Sequence, residues 1–168
     1  MKLLDDDTPN PGGDALLAEL RWIHDIIRSN LATIMAVAEQ ITAGAPIVQV
    51  RAQIDNLAAT SVVWTLRVNC MRYCSLVHGH HHHEDAAWFP ALRHVNPELH
   101  SVIDKLEADH VVVSGYLDAV AAAAARISTD DSARSVLADA LRGLADHLLT
   151  HLDYEETSLA PTLRRLAV

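Results

Sequence analysis

Apolar residues return every third or fourth position through most of this chain, the spacing that puts them on one face of an α-helix. The first such stretch is predicted to start after Asp14, a helix-capping residue, and to run to about Thr42. Ala43-Gly44-Ala45-Pro46 then supplies a glycine cap and a proline stop. A second stretch extends from about Ile47 to Trp88, with a break expected near Asp55-Asn56 and Pro90 closing it. In the link Arg93-His94-Val95-Asn96-Pro97, Asn96 is the expected cap and Pro97 the first residue of a third helix that reaches about Ile127. Ser128-Thr129-Asp130-Asp131 turns the chain into a fourth helix ending near Glu156, and Pro161 limits the remaining residues to a short tail helix. Residues 1–13, with three aspartates, two prolines and a Gly-Gly pair, are expected to be a disordered leader to one domain over 14–168. Short links make neighbouring helices antiparallel. The predicted fold is all-α, an up-down antiparallel four-helix bundle with a short C-terminal helical tail.

Composition supports helices over sheet. Half of the 168 residues are hydrophobic but only 4% are aromatic, and there are six glycines and six prolines. A net charge of −9 argues against nucleic acid or an anionic membrane as partner. No apolar run reaches the roughly 20 residues that span a bilayer, and the N-terminus resembles no targeting segment, so a cytoplasmic protein is expected. Cys70 and Cys74, one helical turn apart, are expected as reduced thiols in or beside the core.

The unusual count is histidine, with eleven. Each helical seam is almost wholly apolar and each carries one histidine: His24 between Leu20 and Ile27, His80 after Val77, His110 between Leu106 and Val113, and His151 after Leu148. On the second and fourth seams a glutamate comes four residues later, Glu84 and Glu155. At about 1.5 Å of rise per residue, an antiparallel bundle brings the four histidines to one level near one end. A single histidine on an apolar face is more often a satisfied core residue than a ligand. Four at one level, with two buried carboxylates that would cost several kcal/mol unpaired, call for a bound cation.

Other polar residues are weighed against the same seams. Within His78-Gly79-His80-His81-His82-His83 the phase selects His80, while His81 and His82 look peripheral. His81 remains a candidate for contact behind the ligands or for pairing with Asp85, and the run could also be a surface metal-scavenging tract. His147, one turn before His151, is the strongest candidate for an extra ligand or for supporting one. Tyr73, seven residues before His80, is either a core aromatic or a phenol close to the metal. His94 and His100 fall in or near a loop. Imidazole and carboxylate ligation without thiolate suits iron or manganese, and zinc less specifically. Two glutamates, each beside a histidine, can bridge two ions. The apolar side chains around them would admit dioxygen, hydrogen peroxide or nitric oxide and exclude large polar substrates.

The stretch from His80 to Pro90 resembles the HHxxED…FP signature of hemerythrin-like HHE cation-binding domains, and the stretch from His151 to Pro161 resembles their HLxxEE…P signature. With His24 and His110 as the single histidines of the first and third helices, the resemblance covers about residues 14–163, and the composition is similar to that of actinobacterial members. It implies two iron ions in a non-heme, oxo- or hydroxo-bridged centre, with Fe/Mn as the alternative, held by His24, His80, Glu84, His110, His151 and Glu155. Oxygen-carrying hemerythrins have a second histidine four residues after the one on the third helix, where this chain has Ser114. That difference implies a position for water, His147, Glu107 or an outside ligand, and an open position favours turnover over carriage. The expected function is a peroxidase- or catalase-like reaction with small ligands (H2O2, NO, O2). The alternatives are reversible O2 binding, oxygen or iron sensing without catalysis, and oxidation of a specific small organic molecule.

Overall fold

The structure is a computed structural model that describes residues 2–5, 10–43, 62–127, 130 and 132–167, with side chains in the second helix from residue 66 onward. Its main elements are α1 (Pro11–Thr42), α2 (Val62–His83), α3 (Phe89–Val95), α4 (His100–Arg126) and α5 (Ser132–Arg164), flanked by two short strands, β1 (Lys2–Leu3) and β2 (Leu166–Ala167). A π-helical turn, Glu84–Trp88, joins α2 to α3, and a 3-10 turn, Pro97–Leu99, leads into α4. The chain is thus a bundle of long helices. The expected stop at Gly44 and Pro46, the helix start at Ile47 and the break at Asp55-Asn56 lie outside the described residues.

The chain ends and helix ends obey local chemistry, with four corrections. Asn96 caps as expected, its side-chain oxygen accepting from the Glu98 N–H at 3.2 Å. At the start of the chain, Lys2–Leu3 is not disordered but pairs antiparallel with Leu166–Ala167. The first helix starts at Pro11 rather than after Asp14, which sits in its first turn. Asn10 explains the earlier start, because its amide donates to the Arg164 and Leu166 carbonyls at 2.9 and 2.8 Å and ties the entry of α1 to the end of α5.

Pro90 does not close the second helix, which continues to Val95. The π turn absorbs it: the Phe89 N–H reaches back five residues to the Glu84 carbonyl, widening the backbone where the proline has no N–H to donate. The extra residue also turns the buried stripe by one position, so Phe89 and Leu92 enter the core. Pro161, expected to separate a tail helix, lies inside α5. Only one hydrogen bond is lost so near the helix end, and buried Leu159, Ala160, Thr162 and Leu163 hold the last turns in place.

Contacts along the helices fix their neighbours. Arg28 of α1 meets Asp153 of α5, Cys74 of α2 meets Leu117 of α4, and Tyr116 of α4 stacks on His147 of α5. Buried apolar side chains form two clusters. One gathers around Ile27, Val77, Val113 and Leu148, and the other around Leu20, Phe89, Leu106 and Leu159. Each buried Leu, Ile or Phe contributes about 1.5–3 kcal/mol. A polar layer interrupts each long helix between the two clusters.

Candidate metal centre

The layer is built by helical phase. His24 lies between Leu20 and Ile27, His110 between Leu106 and Val113, and His151 and Glu155 between Leu148 and Leu159; all are buried. From α2 come two histidines, His80 and His81, and Glu84 takes the first position of the π turn. Two groups of donor atoms result, each converging within 4.8 Å: His24, His80, Glu84 and Glu155 in one, and His81, His110 and His151 in the other.

Ring nitrogens face one another across the layer. His24 Nε2 lies 3.1 Å from His80 Nε2, and His110 Nε2 lies 3.2 Å from His151 Nε2. In each pair, two lone pairs cannot face each other without a proton or a cation between them. The carboxylates sit between the groups. Glu84 Oε1 is 3.2 Å from His80 and its Oε2 is 3.6 Å from His110, while Glu155 Oε2 is 3.4 Å from His24 and 3.7 Å from His151. Despite these approaches, none of the four carboxylate oxygens makes a hydrogen bond among the described residues, and neither does His81 Nε2. Seven side chains whose donor atoms converge in two groups, with the carboxylate oxygens and His81 Nε2 left without a described partner, fit a pair of cations.

Electrostatics agree. Burial raises Glu84 well above the ordinary carboxylate range, reinforced by the charge of Glu155, and burial pushes Glu155 up to about 7. Burial, reinforced by neighbouring imidazoles, lowers His80 and His151 to about 3, and it also lowers His24, His81 and His110. The histidines are therefore neutral at pH 7, the form that ligates metal. With no positive charge from these histidines, burial pushes the two carboxyls toward their protonated forms, and a bound cation would hold them ionised instead.

Two further carboxylates stand behind the imidazoles. Glu156 Oε1 bonds His24 Nδ1 at 2.9 Å, and Asp85 Oδ1 bonds His110 Nδ1 at 2.7 Å. His110 is also held by its rings: His81 stacks on it with centroids 3.9 Å apart, and Phe89 stacks at 5.4 Å.

A family model described as the hemerythrin HHE cation-binding domain matches residues 49–163. The chain belongs to that family. No curated protein and no solved structure matches it. In this hemerythrin HHE domain both signature stretches fall inside the matched span, whereas α1 and His24 precede it, so geometry alone brings His24 to the layer.

The hemerythrin HHE domain assembles His24, His80, Glu84, His110, His151 and Glu155 in one layer, and it adds His81. His81 is not peripheral: it is 5% exposed and belongs to the three-histidine group. Asp85 pairs with His110 rather than with His81. The signal was present in the sequence. His81 lies four residues after Val77 and three before Glu84, so a buried face wider than a single seam holds both His80 and His81. His147 does not enter the layer; it is exposed and stacks on Tyr116 at 4.8 Å. Glu107 is drawn outward by Arg93, whose Nη2 it accepts from at 2.7 Å. Tyr73 is buried in the apolar cluster with Val77, its hydroxyl bonded to no described residue. Ser114 is half-buried on α4, and the fifth imidazole comes from α2 instead.

Proposed function

We propose that this hemerythrin HHE domain, an up-down antiparallel four-helix bundle, holds two non-heme iron ions and uses them to react with small uncharged ligands. Hydrogen peroxide is the first of these, with dioxygen and nitric oxide after it. The observation that carries the reading is the convergence of five histidines and two glutamates on one layer, in which the four carboxylate oxygens and His81 Nε2 bond no described residue and the other inward imidazole nitrogens face one another. His81, His110 and His151 would serve one ion and His24 and His80 the other, with Glu84 and Glu155 shared because each lies near histidines of both groups. Bound iron would supply one-electron chemistry and a position for a small ligand.

The chain's own contribution is to orient and to exclude. The histidines present neutral nitrogens at fixed spacing, so little rearrangement opposes loading. Leu20, Ile27, Val77, Leu106, Val113 and Leu148 wall the layer and are each at most 3% exposed. Such walls exclude bulk water and large polar molecules, which disfavours oxidation of a sizeable organic substrate. With one imidazole fewer, the His24–His80 side is where a small ligand would find room.

A second reading, reversible O2 binding or oxygen sensing without turnover, gains support from His81. Its imidazole compensates for Ser114, and a missing imidazole at Ser114 is what favours turnover over carriage. Rapid mixing of the iron-loaded protein with H2O2, O2 and NO in turn separates the two. Repeated consumption of peroxide with return of the starting spectrum supports the first reading. A stable O2 adduct without peroxide turnover supports the second, and no spectral response to any of the three contradicts both.

A further inference from the structure

We propose that Asp85 and Glu156 are positioning residues that each lock one ligand imidazole, one in each half of the layer, and that the unequal pairing of these two carboxylates tunes the two ions apart beyond the difference that three histidines against two already sets. The inference rests on the two-iron reading and adds to it the residues that tune each ion.

The two signature stretches each contain a pair of acidic residues, Glu84-Asp85 and Glu155-Glu156. Consecutive helical residues point about 100° apart, and in each pair it is the first that faces the layer. The second reaches sideways to a neighbouring helix. Asp85, in the π turn after α2, bonds His110 of α4, and Glu156 of α5 bonds His24 of α1. With the ring Nδ1–H donating to a carboxylate, the tautomer is set and the Nε2 lone pair is turned inward. His110 belongs to the three-histidine group and His24 to the other, so each group has one histidine held this way. By contrast, His151 Nδ1 makes no hydrogen bond among the described residues, its nearest carboxylate, Asp109, being 3.8 Å away.

The two carboxylates differ in what else they touch. Glu156 Oε1 also accepts from Arg28 Nη1 at 2.8 Å, and its Oε2 lies 3.5 Å from Arg21 Nε. Arg28 in turn bonds Asp153 at 2.7 Å, so Glu156 is embedded in a network that neutralises much of its charge. Asp85 makes no ion pair with an arginine or lysine among the described residues, and its side chain is 43% exposed. A carboxylate that keeps its charge draws the imidazole N–H proton more strongly and makes the opposite nitrogen a better donor. His110 should therefore donate more electron density than His24, and the ion on its side should be oxidised first.

The test uses full-length protein loaded anaerobically with Fe(II), and it reads iron content, Fe(II) affinity by chelator competition, and the potentials of the two one-electron steps. Asp85→Asn and Glu156→Gln keep an oxygen that can accept from Nδ1, so both are expected to retain two irons. Each should shift a potential upward, Asp85→Asn by more and on the first step. Asp85→Ala and Glu156→Ala remove the acceptor and are expected to lose about 10–100-fold in affinity. Arg28→Gln, which frees the charge of Glu156, should move the second potential downward, a change of sign that a merely structural role does not produce. Unchanged potentials in both amide variants, or an upward shift in Arg28→Gln, overturn the inference while leaving the two-iron reading intact. Wild-type protein that takes up no iron overturns both.

Discussion

Val77 lies four residues before His81 and Glu84 three after it, so His81 satisfies the same helical spacing as His80, three after Val77 and four before Glu84. The sequence pattern therefore marks the right turn of helix and understates its width. His147 shows the opposite failure: it is one turn from His151, yet it is exposed and stacks on Tyr116 rather than on an imidazole of the layer. These two residues make a paired prediction. His81→Ala should weaken iron binding by more than the roughly 10–100-fold that losing an outer partner costs, whereas His147→Ala should leave iron content unchanged, both read by metal analysis after dialysis. Tyr73 makes a third case, since its side chain is 3% exposed and its hydroxyl is bonded to no described residue. A buried hydroxyl without a partner costs about 1–3 kcal/mol, so Tyr73→Phe is expected to raise the urea midpoint rather than lower it.

Elements were legible where periodicity alone decides them. The four apolar stripes and the Asn96 cap could be read directly, because 3.6-residue spacing and side-chain capping are local properties. What escaped were positions where a distant partner overrides a local stop signal. Pro90 and Pro161 read as terminators, but a π turn accommodates one and the packed end of α5 the other. Lys2–Leu3 has no structure without Leu166–Ala167, at the far end of the sequence. The junction they form depends on close approach at Gly13, where an added Cβ would lie 2.6 Å from the Arg164 carbonyl oxygen and against that of Leu163. Alanine ordinarily gains about 1 kcal/mol over glycine inside a helix. Here overpacking against backbone should outweigh that gain, so Gly13→Ala is expected to cost about 1–3 kcal/mol in a urea melt.

In the whole molecule, two apolar clusters flank one polar layer, and the layer is the weak plane of the metal-free chain. Two glutamates are pushed toward protonation in the core between histidines kept neutral, and their oxygens bond no described residue. A cation bound only by the folded state stabilises it by about 2.7 kcal/mol at a hundredfold excess over Kd. In a domain of this size that corresponds to roughly 5–10 °C. Stripping both irons with a chelator should therefore lower Tm by at least that amount, while the two clusters keep the helices formed by circular dichroism. The sequence revealed most of this layer, because one histidine on each apolar stripe stands out against its neighbours. It did not reveal how the histidines divide between the two donor groups, since that depends on how four helices meet.

Five histidines and two glutamates in that layer are proposed to hold two inequivalent iron ions. Mössbauer spectroscopy of protein loaded anaerobically with iron-57 tests it most directly. Two irons per chain in two distinct environments of equal area are expected. One iron per chain, or iron displaced by washing with a weak chelator, would contradict it.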